Sequence, residues 1–273
     1  MSYDENSIQS HRGRTFWILV VVISSTVIAS GLGLKGYLSP KVSAVQPQEK
    51  ERLVVRDNRP VAEAIVSLET RFGRVITYED PPLVHPEDLL DVTETVRRDL
   101  DKYPPGKAPK VFVPRGGELN LEYGQDDPVE VVLASVLSES QRAMNSPTFR
   151  SEETNGIIHV IPESVKGLAG DTIRIRSILD APVQLSAQPR TGMQMLEAWC
   201  DSVSASSKKQ VLIGLAPIGM LLNYKDDKGL SSPNGRAALT EILTRATKGA
   251  KVSWQLFYDP GQKIYVINIH PVQ

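Results

Sequence analysis

The chain has 273 residues, 41% of them hydrophobic, with 31 basic and 32 acidic side chains and a formal net charge of −1. That composition supports a packed core and argues against both wholesale disorder and a protein built to bind nucleic acid, which carries a basic excess. A single cysteine, Cys200, excludes a disulfide within the chain and every multi-cysteine metal motif.

From Thr15 to Leu34 no residue is charged, and Val, Ile and Leu dominate. Twenty helical residues rise about 30 Å, the thickness of a hydrocarbon core. Arg12 and Arg14 precede the run and place the N-terminus inside, although Lys35 follows it. Trp17 and Tyr37 lie near its two ends, where amphipathic rings favour the interface. The length favours an uncleaved signal anchor over 15–36, after a cytoplasmic tail at 1–14. Two other readings are a leader cleaved near Val42–Ala44 and a buried helix of a soluble domain. The anchor reading predicts a single-pass protein of the inner membrane, contacting lipid through 15–36, with the rest of the chain periplasmic or otherwise outside the cytoplasm. Residues 37–57 are polar and mixed in charge and read as a tether, in which Leu53–Val55 is able to begin a strand.

From Asn58 the patterning becomes regular. Val61, Ile65, Leu68 and Phe72 keep helical spacing, with Pro60 at the start and Gly73 as a stop. "RVITYED" reads as a strand, and so does "KVFVP"; in "ELNLEYG", Leu119, Leu121 and Tyr123 alternate with polar residues. Asp126 or Asp127 is placed to cap a second helix, with Pro128 in its first turn and Val129, Val132, Leu133, Val136 and Leu137 as its buried stripe. A hairpin about Asn155-Gly156 closes this half.

The second half follows a comparable plan. Met195, Leu196, Trp199, Cys200 and Val203 share one helical face, "QVLIGLAP" and "GMLLNYKD" read as strands, and Leu239, Ile242, Leu243 and Ala246 form another helical stripe. A hairpin about Asp259-Pro260-Gly261 ends the chain's pattern, with Val252, Trp254, Leu256 and Tyr258 alternating. Leu133 and Leu137 fall on Leu239 and Leu243, and Ile158 and Val160 on Ile264 and Val266. That offset of roughly 106 residues suggests an internal repeat. The predicted fold class is α+β: a transmembrane helix followed by two small helix and mixed-sheet modules, at 58–165 with an insertion at 81–115, and at 171–273.

The stretches Arg59–Asp80 and Leu119–Glu163 resemble the short N-terminal domain shared by secretins and TonB-dependent receptors. In that domain an amphipathic helix precedes a strand, and a second strand leads into a polar-capped helix and a closing hairpin. The long insertion at 81–115 departs from the family's compact form, and no receptor barrel or pore segment follows. The resemblance implies contact with an envelope protein; it implies no catalytic signature and no particular partner.

Chemistry-bearing residues gather in "YEDPPLVHPEDLLD" at Tyr78–Asp91. His85 with Glu79, Asp80, Glu87 or Asp88 offers ligands acceptable to zinc, but in no diagnostic spacing. Turn and cap chemistry explains more: Pro81-Pro82 ends a strand, and a helix is able to start after Pro86 with Glu87 and Asp88 in its first turn. His11 falls on the cytoplasmic side, whereas His159 and His270 fall on strands. Cys200 sits on an apolar stripe and reads as a buried structural thiol. "PRGGELN" lacks the lysine and hydroxyl of a phosphate loop, and no nucleophile elbow is present. No catalytic, cofactor-binding or metal-ligating residue is therefore assigned, and no cofactor. The expected function is binding or scaffolding by a membrane-anchored envelope protein, through a sheet edge or a groove. Its alternatives are a hydrolase using these carboxylates with His159 or His270, and a signal-transducing partner of an outer-membrane receptor.

Overall fold

The computed structural model describes residues 49–145 and 147–273. The expected tail, anchor and most of the tether lie outside the described residues, as does His11. Among the described residues no helix is long and apolar enough to cross a membrane.

The first half runs β1 (Lys50–Asp57), α1 (Pro60–Phe72), β2 (Ile76–Glu79), β3 (Leu89–Asp91), α2 (Thr93–Val96), β4 (Phe112–Pro114), β5 (Gly117–Gly124), α3 (Val129–Met144), β6 (Thr148–Thr154) and β7 (Ile157–Lys166). The second runs β8 (Thr172–Arg174), β9 (Val183–Leu185), β10 (Arg190–Thr191), α4 (Gly192–Ser207), β11 (Val211–Ile213), α5 (Ile218–Asn223), β12 (Lys225–Asp226), β13 (Leu230–Ser232), α6 (Gly235–Ala246), β14 (Val252–Asp259) and β15 (Ile264–Pro271). The architecture is α+β.

The helices form where apolar residues recur at helical spacing. Pro60 occupies the first turn of α1, and Gly73 at φ 60° closes it by donating to the Glu69 carbonyl. α4 begins on a capping box, Thr191 with Gln194, and α6 on the Asn234 side chain. α3 differs from expectation. Its N-cap is Pro128 with no side-chain bond, because Asp127 turns back to accept from the Gly124 N–H at 2.6 Å. The hairpin at Asn155-Gly156 forms as expected, both residues holding positive φ.

The halves share three pairings, while β3–β4 belongs to the first alone and β10–β12 to the second alone. β1 lies antiparallel to β5 and β9 to β13, each as a separate two-stranded ribbon. β2 lies parallel to β7 and β11 to β15. Each half ends in an antiparallel hairpin, β6–β7 and β14–β15. The buried stripes match too: Val129, Val132, Leu133 and Val136 of α3 stand where Gly235, Ala238, Leu239 and Ile242 of α6 stand. The strands are offset differently from the helices. Ile158 and Val160 correspond to Tyr265 and Ile267, which are buried; Ile264 and Val266 lie on the opposite face.

One sheet joins the halves, in the order β11-β15-β14-β2-β7-β6, with β8 on the end of β7. The joint is the parallel pairing of β14 with β2, Gln255 opposite Tyr78 and Leu256 opposite Glu79. Two apolar cores lie between helices and sheet. Ile65, Leu68, Leu119 and Leu133 centre the first, and Leu196, Trp199, Leu239 and Trp254 the second.

Two segments fold otherwise than their sequence suggests. After Pro86 a single 3₁₀ turn, Pro86–Asp88, gives way to β3, which pairs with β4, and only one turn of helix, α2, follows. The β3–β4 ladder satisfies the backbone that a longer helix would have satisfied internally. "GMLLNYKD" is helix α5 and the short β12 in place of a strand.

Candidate functional site

The acidic, prolyl stretch divides at Pro81. β2 runs through the middle of the sheet, so its residues are buried and their polar groups must be paired within the protein. Glu79 Oε1 accepts from Arg236 Nε at 2.5 Å, and its other oxygen accepts from the Ser177 hydroxyl. A second nitrogen of Arg236 reaches Asp180 at 3.0 Å. Burial pushes the Glu79 carboxyl up, and the Arg236 guanidinium pulls it back.

Asp80 accepts from the Tyr78 hydroxyl at 2.7 Å on one oxygen. On the other it accepts from Arg59 Nε at 2.6 Å and from the Tyr258 N–H at 2.9 Å. Arg59 also donates to the Tyr258 carbonyl at 2.8 Å and lies over the Phe257 ring. Both carboxylates therefore tie the first half to the second, across the β2–β14 joint. Gln255 and Ser253 reinforce it through the Ala62 and Ile76 carbonyls.

The other candidates of this stretch go elsewhere. His85 Nδ1 accepts from the Glu87 N–H at 3.2 Å and caps the 3₁₀ turn, and the Glu87 carboxylate pairs with Lys166 at 2.5 Å. Among the described residues no three of His, Cys, Asp and Glu come together as a group able to hold a metal ion.

The histidines are dispersed. His159 Nδ1 lies 2.7 Å from the Thr77 hydroxyl, with its ring against Trp254. Burial first, then Arg236, holds its pKa down at about 4, so at neutral pH it is uncharged. His270 Nε2 lies 2.7 Å from Glu69 Oε2, while Glu69 Oε1 accepts from the Ile76 N–H. Neither imidazole bonds to Glu79 or Asp80. Burial pushes the Cys200 thiol up to about 12, which leaves it a poor nucleophile at neutral pH.

A cavity of about 290 Å³ opens beside the joint, between the start of α1, the insertion and the end of α3. Its walls are apolar at Pro60, Leu83, Met144 and Phe149 and polar at Arg59, Asp88, Arg115 and Ser140. Asp88 Oδ2 and the Ser140 hydroxyl are buried without a hydrogen-bond partner among the described residues. Burial raises the Asp88 carboxyl above its ordinary range. Among the described residues no histidine lines the cavity or stands beside Ser140 as a base. The arrangement suits the holding of a small polar group or water. Sequence periodicity gave no sign of this cavity, because its walls come from five separate segments. Compared with protein-family models, with curated proteins and with solved structures, the chain matches none.

Proposed function

We propose that the chain is a non-catalytic binding or scaffolding protein of the cell envelope, anchored in the inner membrane through 15–36 and presenting two copies of one α+β module outside the cytoplasm. The observation that supports the binding role is the β2–β14 joint, in which a strand of the second half is added to a sheet edge of the first. The three pairings and two buried helices that the halves share support a tandem repeat, and the helix-strand-strand-helix-hairpin order supports the likeness to the secretin and TonB-receptor N-terminal domain. The carboxylates that a hydrolase would use, Glu79 and Asp80, are committed to Arg236 and Arg59, which weighs against that alternative. An anchor confines the modules near the membrane and raises their effective concentration for membrane-bound partners.

The test is expression of the intact chain with a proximity-labelling enzyme at its C-terminus, followed by fractionation. The expected result is a membrane-fraction protein, digestible from outside in spheroplasts, that labels envelope proteins above an anchor-only control. Recovery in the soluble fraction, or protection from external protease, overturns the placement. Labelling no stronger than the control overturns the binding role.

A further inference from the structure

The seven-stranded sheet has two outer edges, β6 and β11, and the chain treats them differently. β6 carries Arg150, Glu152 and Glu153, charges that discourage a further strand from pairing. β11 carries none: from Val211 through Tyr224 no residue is charged. The segment nevertheless exposes large apolar side chains, Leu215 at 72%, Ile218 at 56% and Leu222 at 51%. Among the described residues no strand pairs with the outer edge of β11.

The backbone of that edge is partly unused. Tyr265 N–H donates to the Gln210 carbonyl and Gly214 N–H to the Ile267 carbonyl, so alternate residues of β11 face β15 and Val211 and Ile213 face outward. Ser204 accepts from the Val211 N–H. The N–H and C=O of Ile213 remain directed away from the sheet.

What such an edge receives is shown within the chain. β2 is the counterpart of β11 by its parallel pairing to the closing hairpin, Ile76, Thr77 and Tyr78 matching Val211, Leu212 and Ile213. The outer edge of β2 is covered by β14, which runs parallel to it with Gln255 opposite Tyr78 and Leu256 opposite Glu79, neither of them charged. We propose that the outer edge of β11, with Leu215 and Ile218 beside it, receives an apolar, uncharged strand of a protein partner, aligned parallel to β11 as β14 is to β2. The joint at β2 is itself only two registered residue pairs long, so the shortness of β11 is no obstacle. Where β2 continues into Glu79 and Asp80, which pair with Arg236 of α6 and with Arg59 and the Tyr258 N–H, β11 continues into Gly214 and Leu215, uncharged and bonded back to β15. Recognition at β11 is therefore apolar.

A second copy of this chain does not supply the strand. Its free hairpin edge, β6, places Ser151, Glu152 and Glu153 at the positions of Leu256, Phe257 and Tyr258. A lipid surface is also disfavoured, because the outward N–H and C=O of Ile213 find no partner in hydrocarbon.

The inference rests on the binding role, and purified full-length chain in nanodiscs tests it apart from the protein's placement in the cell. The probes are labelled synthetic peptides with blocked ends, VSWQLFY from Val252–Tyr258 and TFRSEET from Thr148–Thr154, followed by fluorescence anisotropy. The expected result is saturable binding of the first, at least about ten-fold tighter than the second. Leu215→Glu, a change at an exposed position, lowers that binding about ten-fold or more with an unchanged thermal midpoint. A fluorophore on Ile218→Cys shifts on peptide addition and is not quenched by brominated lipids. No binding of the first peptide, equal binding of both, indifference to Leu215→Glu, or lipid quenching before peptide is added each overturns the proposal.

Discussion

His159 on β7 is held among groups that give its proton no home. Thr77 of β2 shares a hydrogen bond with it, Trp254 of β14 lies against its ring, Arg236 of α6 repels a positive charge, and only Glu152 of β6 favours one. Its pKa is lowered to about 4 from 6.5. A base whose folded pKa lies below its unfolded one binds more protons when unfolded. Its contribution to stability is therefore complete above about pH 6.5 and lost as pH falls toward 4, amounting to about 3 kcal/mol in full. Urea unfolding at pH 7.5 and pH 4.5 checks this: His159→Gln removes about 2–3 kcal/mol of the wild-type loss between the two pH values. An identical loss in wild type and variant refutes the assignment.

Between elements, the turn from β4 into β5 depends on Gly116. It holds φ +63°, and a Cβ there would lie 2.0 Å from the Asp57 carbonyl oxygen and 2.4 Å from the Asn58 Cα. Both terms act against a side chain: the left-handed backbone costs about 1 kcal/mol, and backbone at such range has no rotamer by which to yield. Gly116→Ala is expected to destabilise by more than about 2 kcal/mol and to loosen the β1–β5 ribbon, read as faster hydrogen exchange at Leu53 and Val55. The sequence does not show the chain that Gly116 touches, since Asp57 approaches through tertiary folding. The same limit separates what was legible from what was not. α1, α3, α4 and α6 were readable because each buries a stripe long enough to fix its period. α5 was misread as a strand because a six-residue apolar run fits either period. The segment after Pro86 carried helix-starting signals, yet pairing with β4 from beyond the prolines overrode them. Glu79 and Asp80 were visible as a cluster, whereas their partners Arg236 and Tyr258 lie far along the chain and share no local pattern with them.

At the scale of the whole molecule, the two described halves keep separate apolar clusters against one shared sheet, and the joint between them is polar and buried. Strands β1 to β15 lie in one compact unit. If the joint were weak, the halves would melt separately. Glu79, 1% exposed, and Arg236, 6% exposed, argue otherwise, because parting the halves leaves each charge without its principal partner. Removing one member of such a pair costs about 3–5 kcal/mol. Arg236→Ala is the sharper of the two changes, since it leaves Glu79 buried with only Ser177 as a donor, whereas Glu79→Ala leaves Arg236 with Asp180. In a chain carrying Trp17→Phe, the remaining tryptophans, Trp199 and Trp254, both report the second half, while far-ultraviolet circular dichroism reports both halves. The two signals are expected to share one urea midpoint in the parent and to fall together in Arg236→Ala. Restoring an apolar pair, Glu79→Leu with Arg236→Met, recovers most of the loss, because neither side chain then buries an unpaired charge. Two resolved midpoints in the parent would instead make the joint a contact between independent domains, and the β2–β14 pairing would then lose its standing as the template for what β11 receives.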